Sequence, residues 1–282
     1  MLFFIIKYFE LIILFMNLSN IQLYNSFKSK KVIKVITGIE NTNIYQVAQI
    51  AQAANLANVT YLDVIANTKI VKFLKSFSSL PLCISSIDPI DIYNCVLAGA
   101  DLVEVGNYDS FYNRGIYINS FQLIKLVEEI KYLIGDIDMC VTVPYHLNIN
   151  EQIKLAKDLK NLGVNILQTE GVFINNISKS VSRLTNSLSS SLISTYFLSK
   201  YVDIPVITAS GITSLFASMP IKYGASGIGI GSAIKYNDNI IDMVNAITEV
   251  KSSIYINSLD SYNDFNKTKV YLNNDQHYRV VI

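Results

Sequence analysis

The sequence predicts a single (β/α)₈ barrel of parallel strands, a TIM barrel. Three observations predict it. Short β-branched runs alternate with longer amphipathic segments, the pattern of βα units feeding a parallel sheet. The strand–helix pairs run to eight in order. The strand runs are near-continuously apolar, as parallel strands covered on both faces are. The chain has 282 residues, 51% of them hydrophobic. That suffices for one large core, and about 250 residues are usual for this fold. An open, doubly wound sheet is disfavoured by the count of eight and by the lack of GxGxxG after the first strand.

The elements follow in order. Strand 1 is Val32–Thr37 (VIKVIT), with a helix near Ile44–Leu56. Strand 2 is Thr60–Ile65, with a helix near Thr68–Phe77. Strand 3 is Leu82–Ser86. Its helix opens with Asp88-Pro89, an N-cap followed by proline at the first helical position. Strand 4 is Leu102–Val105, followed by a longer loop, Gly106–Ile118, and a helix near Ser120–Leu133. Strand 5 is Met139–Val143, with a helix near Glu151–Leu162 that stops at Gly163. Strand 6 is Asn165–Thr169, strand 7 Pro205–Ala209 and strand 8 Gly227–Ile230; the last helix lies near Ile240–Val250.

Residues 16–250 thus form the barrel domain. Residues 1–15 are an apolar extension and residues 251–282 a polar C-terminal extension. Met1–Met16 (MLFFIIKYFELIILFM) carries Lys7 and Glu10. It is shorter than the ~20 residues needed to span a bilayer, and no small-residue cleavage site follows. Three readings stand open: an amphipathic anchor, a helix plugging the barrel bottom, or an upstream start codon with Met16 as the true start. Gly171–Ser191 is rich in Ser and Asn and reads as a loop plus part of a helix.

Composition excludes several classes. Net charge is +1, with 23 basic and 22 acidic residues interspersed along the chain. Neither nucleic acid nor an anionic membrane surface is expected as the main partner. Cys83, Cys95 and Cys140 form no CxxC pair, and the only histidines are His146 and His277. No metal site is assigned on that pattern, and the cysteines read as small buried hydrophobes. The wealth of Ile, Asn, Lys, Tyr and Phe matches AT-rich codons, as in an organelle genome.

The strongest chemical signal lies at the end of the barrel. Strand 7 closes with Ser210-Gly211, and strand 8 runs through Gly229 into Gly231-Ser232. Glycines let backbone N–H groups approach an anion, and in TIM barrels this is the common phosphate position. A phosphorylated small molecule is the expected partner, with FMN the cofactor whose phosphate the same loops would hold. Tight turns and close packing also require glycine.

Polar residues inside apolar strands are the second signal, because a buried charge is costly unless paired or used. Lys34, Asp63, Glu104, Thr142 and Gln168 lie within strands, and Glu170 follows strand 6. Asp63 and Glu104 are expected to face inward, with Lys34 in reach of both. The catalytic assignment is Lys34, Asp63, Glu104, Gln168 and Glu170: carboxylates for proton transfer, Lys34 and Gln168 as polarising partners. The bland alternative is a buried ion pair that fills the barrel. A Schiff base on Lys34 is a sharper, less favoured idea, and two carboxylates near a phosphate suit Mg²⁺ without demanding it. His146, Asn67, Ser85, Ser86, Asp88 and Asn107 fall on loops of the catalytic face, where Tyr108–Tyr117 reads as a lid.

Lys31–Asn43 (KVIKVITGIENTN), Tyr61–Lys69 (YLDVIANTK), Cys83–Glu104, Gln168–Gly171 (QTEG) and Ile204–Ile234 resemble the plastid-encoded hypothetical chloroplast open reading frame twenty-three family of algal plastids and cyanobacteria. The resemblance covers roughly residues 16–250. It implies a TIM barrel and a plastid address, the chloroplast stroma, and supplies no reaction. A looser similarity, through ITASGI (Ile207–Ile212) and GASGIGIGSAI (Gly224–Ile234), runs to thiazole synthase and sugar-phosphate epimerases; it is fold-level analogy. Three functions are therefore carried forward: an isomerase- or lyase-type enzyme on a phosphorylated metabolite, an FMN-binding oxidoreductase, and a non-catalytic sensor or regulatory protein with a protein partner.

Overall fold

The computed structural model describes residues 18–256 except 39, 107, 173–180, 236 and 238; at 109, 110, 181–187, 255 and 256 only the backbone is described. Eight parallel strands close into one barrel in sequence order. They are β1 Val32–Ile36, β2 Tyr61–Ile65, β3 Leu82–Ser86, β4 Leu102–Val105, β5 Asp138–Val143, β6 Ile166–Thr169, β7 Val206–Thr208 and β8 Gly227–Ile230. Closure is made by β1 pairing with β8, with Lys34 opposite Gly229.

The outer helices are α1 Ile21–Lys28, α2 Ile44–Leu56, α3 Thr68–Lys75, α4 Pro89–Leu97, α5 Asp109–Tyr112, α6 Ser120–Ile134, α7 Ile149–Asn161, α8 Val181–Tyr201, α9 Ser218–Lys222, α10 Ser232–Lys235 and α11 Ile240–Ile256. Their starts follow from short polar caps. Asn43, Asn67 and Asp88 each accept two backbone N–H bonds at the heads of α2, α3 and α4. Asn148 forms a capping box with Glu151, so α7 begins two residues ahead of the expected Glu151. Gly163, at φ +79°, follows its end. Helix α11 runs on to Ile256, past the boundary expected at residue 250. The apolar extension 1–15, residues 257–282 of the tail and most of the Ser/Asn-rich loop fall outside the described residues.

The strands' two-residue period separates two cores. Outward residues such as Ile33, Val35, Val64, Ile84, Val103, Val141 and Leu167 pack against the helices. Inward residues Val32, Tyr61, Cys83, Leu102, Cys140, Ile166 and Ile207 fill the lower barrel. Helix α1 seals that end, inserting Leu23 and Phe27, both essentially inaccessible. This is a barrel-bottom plug, formed by a segment the sequence reading left unassigned; Met1–Met16, for which a plug was one reading, lie outside the described residues. The chain enters it tied to the barrel: Asp138, buried at the start of β5, accepts from the Ser19 N–H at 2.9 Å and the Ser19 hydroxyl at 2.7 Å. The taper is tightest at Gly227, where a Cβ would lie 2.3 Å from Val32 Cβ. All three cysteines are buried and free.

Candidate functional site

Above the apolar lower layer, the next inward layer is polar. Lys34 Nζ, fully buried, lies 2.9 Å from Asp63 Oδ2, 2.9 Å from Gln168 Oε1 and in close contact with Glu104 Oε2. Gln168 donates through Nε2 to Glu104 Oε1 at 2.7 Å, and the Thr142 hydroxyl donates to the same oxygen at 3.0 Å. The Ser85 hydroxyl donates to Asp63 Oδ1 at 2.6 Å. Six side chains from β1 to β6 thus form one satisfied network, as a buried charge cluster must. The structure brings Lys34, Asp63, Glu104 and Gln168 together as the sequence led us to expect.

The electrostatics follow from burial and spacing. Burial works against the Lys34 charge, but Asp63 and Glu104 together outweigh it and hold its pKa well above the ordinary lysine value. A Schiff base needs a neutral amine, so this geometry argues against that role for Lys34. Burial pushes the Asp63 carboxyl up to about 6; Lys34 opposes the rise and Glu104 adds to it. Asp63 therefore titrates near neutrality, where a proton-transfer group is most effective. The Lys34 ammonium sits between the two carboxylates, the position a bridging cation would take. Among the described residues, no three His, Cys, Asp or Glu side chains gather in a way that could hold a metal ion.

Glu170 lies apart from this network. Its Oε1 accepts from the Tyr112 hydroxyl at 2.5 Å and the Tyr145 N–H at 3.0 Å. It ties the end of β6 to the segment after β4. The Tyr108 hydroxyl donates to Thr142 O at 2.8 Å, and Tyr112 packs edge-on against Tyr145 at 5.2 Å. Of the stretch read as a lid, Tyr108 and Tyr112 are buried against the ends of β5 and β6; Asn107 is outside the described residues. His146 joins the cluster, 5.1 Å from the Tyr117 ring, and burial lowers its pKa. Asn67 and Asp88 are helix caps, and the Ser86 hydroxyl accepts the Asp88 N–H.

The glycine loops differ from one another. Ser210 (φ +87°) and Gly211 (φ +69°) form a left-handed turn straight after β7. A serine there is strained, a cost found most often at functional turns. Gly231 ends β8, Ser232 opens α10, and Ser232 is exposed. Gly229 lies inside β8, where a Cβ would stand 3.1 Å from Ile36 Cδ1 and 3.2 Å from Ala209 Cβ. Ile36 and Ala209 thus close over the place a side chain would take. Sequence reasoning missed two members of the site. Ser85, taken for a loop residue, is the last-but-one residue of β3 and faces Asp63; the period-two alternation with Cys83 would have found it. At Gly106 a Cβ would meet Thr142 Oγ1 at 2.6 Å, so only glycine leaves this edge of the network uncovered; its signal was its place just past β4.

A closed barrel of eight parallel strands alternating with helices is the TIM-barrel fold. Solved structures with this fold include thiamine phosphate pyrophosphorylase from Pyrococcus furiosus, with TM-score 0.54 and 17% identity over 80% of this chain and 96% of that one. Another is orotidine 5'-phosphate decarboxylase from Pyrococcus horikoshii OT3, with TM-score 0.56 and 13% identity over 79% and 99%. At such identities the likeness shows the fold alone. The chain itself belongs to the family described as "Protein of unknown function (DUF561)", whose model matches residues 18–260. Algal relatives bear the name "Uncharacterized protein ycf23". The one from Antithamnion sp. is 48% identical over 201 residues, 68% of this chain and 73% of that protein. The one from Porphyra purpurea is 40% identical over 200 residues, 70% and 75%.

Proposed function

We propose that the chain binds a phosphorylated small molecule at the C-terminal mouth of the barrel and catalyses an isomerase- or lyase-type proton transfer on it. The observation that carries this reading is the Lys34–Asp63–Glu104–Gln168 network, with a near-neutral carboxyl at Asp63 beside a fixed positive charge. The backbone of Ser210-Gly211 and Gly231-Ser232 holds the phosphate. Asp63 moves the proton, and Lys34, held by Glu104 and Gln168, steadies the negative charge that develops. Glu170 fixes the aromatic lid through Tyr112. Both fold neighbours are named for phosphorylated compounds, which fits this substrate class. The proposed place of action is the plastid stroma, on the strength of the algal relatives and of a composition matching AT-rich codons.

Native mass spectrometry of the purified protein, with its absorbance spectrum, tests the reading. A co-purified phosphometabolite supports it and names the substrate to assay. A bound flavin would replace it with the FMN oxidoreductase. A phosphometabolite that binds without turnover, alongside a co-purifying protein, would replace it with a regulatory role.

A further inference from the structure

The layer between strands and helices is apolar almost throughout. Strands β1, β2, β4, β5 and β8 end their outward rows in Val35, Val64, Val105, Val143 and Ile230, all packed in the outer core. Ser86, at the end of β3, is half-buried and accepts from the Asp88 N–H. Strands β6 and β7 end instead in Thr169 and Thr208, both fully buried. These two threonines are register partners. Facing them is a third, Thr195 of α8, also fully buried. A buried hydroxyl is costly unless it is bonded, and valine would fill the same space without that cost.

All three hydroxyls are bonded, and to one another. Thr195 Oγ1 donates to the Ser191 carbonyl at 2.7 Å. It lies 2.9 Å from Thr169 Oγ1 and 2.7 Å from Thr208 Oγ1. A hydroxyl has one proton and two lone pairs, so three bonds fill it. Helix α8 is the crossover that joins β6 to β7, and one of its side chains ties both strand ends together. Glu170 comes directly after Thr169. Two residues after Thr208 stands Ser210, in the left-handed region at φ +87°. A strained residue persists only where its surroundings fix it. Beyond this turn Ile212 is buried in the outer core. Before it, the Ala209 N–H donates to Thr169 O at 3.1 Å, and Thr208 is held by Thr195.

We infer that Thr195 is a positioning residue: through Thr208 it holds the Ser210-Gly211 turn in its strained form at the mouth of the barrel. A hydrogen bond fixes distance and direction, whereas apolar contact is non-directional and lets a strand end slide. Removing the Thr195 hydroxyl takes away the 2.7 Å bond of Thr208. Thr208 then turns toward another partner, and the turn two residues on relaxes. The functional meaning of this role rests on the reading of Ser210-Gly211 as half of the phosphate site.

Amide hydrogen exchange and titration with inorganic phosphate test it on the full chain. The variants are Thr195→Val, Thr195→Ser and a triple variant, Thr169→Val with Thr195→Val and Thr208→Val. Serine keeps the hydroxyl. The triple variant removes all three hydroxyls and strands none, so it should melt close to the parent. Exchange at residues 209–212 should be about tenfold faster in Thr195→Val and in the triple variant, with β3 unchanged as the control for global opening. Thr195→Ser should exchange as the parent does. Inorganic phosphate should bind about fivefold more weakly to both valine variants, because the turn is no longer preorganised. A merely structural role would lower the melting temperature of Thr195→Val and leave the triple variant's turn and phosphate affinity as in the parent. Parent-like exchange at the turn in the triple variant overturns the inference, whether or not phosphate binds. So does faster exchange with parent-like phosphate affinity. A parent chain that binds no phosphate sinks the phosphate reading of the turn, while faster exchange in both valine variants still supports Thr195 as its holder.

Discussion

Lys34 is the residue on which the site turns. Removing its charge leaves Asp63 and Glu104 buried against each other, so Lys34→Met is expected to cost about 3–5 kcal/mol of stability. Urea denaturation checks this. Without Lys34 to oppose it, burial would raise the Asp63 carboxyl further, so it binds its proton more tightly folded than unfolded and the deficit should narrow as pH is lowered. Stability equal to the parent protein at neutral pH would show that the network carries little. Asp63, with its carboxyl near 6, is ionised above that pH. As a base it should give a kcat/KM that rises through about pH 6 and levels off, and Asp63→Asn should lower kcat by about 10²–10⁴-fold. These residues were legible in the sequence because a charge in a β-branched run demands a partner. Their company was not: Ser85 and Gly106 look like ordinary loop residues until the register places them inside.

Among the elements, α1 is the one whose role the sequence hid. Its two buried residues, Leu23 and Phe27, make a single i,i+4 pair. One pair is too little to show a periodicity, and its amphipathic meaning appears only against the open end of a barrel. Phe27→Ala should cost about 3–5 kcal/mol by opening a cavity under the lower layer, read as a drop in the denaturation midpoint. The role of Gly227 was hidden as well. The sequence reading gave anion binding to Gly229, Gly231 and Ser232 and left Gly227 unassigned; that position is decided by Val32 lying where a Cβ would go. Gly227→Ala should therefore destabilise the β1–β8 seam and lower the melting temperature, while Gly115→Ala, with open space around it, should do so only through its φ of +71°.

At the scale of the whole molecule, the order of the eight strands was legible and their boundaries to within one residue, since parallel strands must be apolar throughout and each must be followed by a covering helix. What was not legible was the register that sets Ser85 beside Asp63 and Gly106 beside Thr142, which needs neighbouring strands to be paired. Strands β7 and β8 pair directly, so the Ser210-Gly211 and Gly231-Ser232 loops follow neighbouring strands, and their joint use for phosphate is the central proposal. The most direct test is thermal melting with rising inorganic phosphate, for the parent chain and for Ser232→Asp. Ser232 is exposed, so the variant should fold, while its carboxylate repels the ligand. Saturating phosphate should raise the parent's melting temperature by several degrees, as binding to the folded state alone requires, and leave Ser232→Asp unmoved. A parent chain indifferent to phosphate, or the same rise in both proteins, would contradict the account.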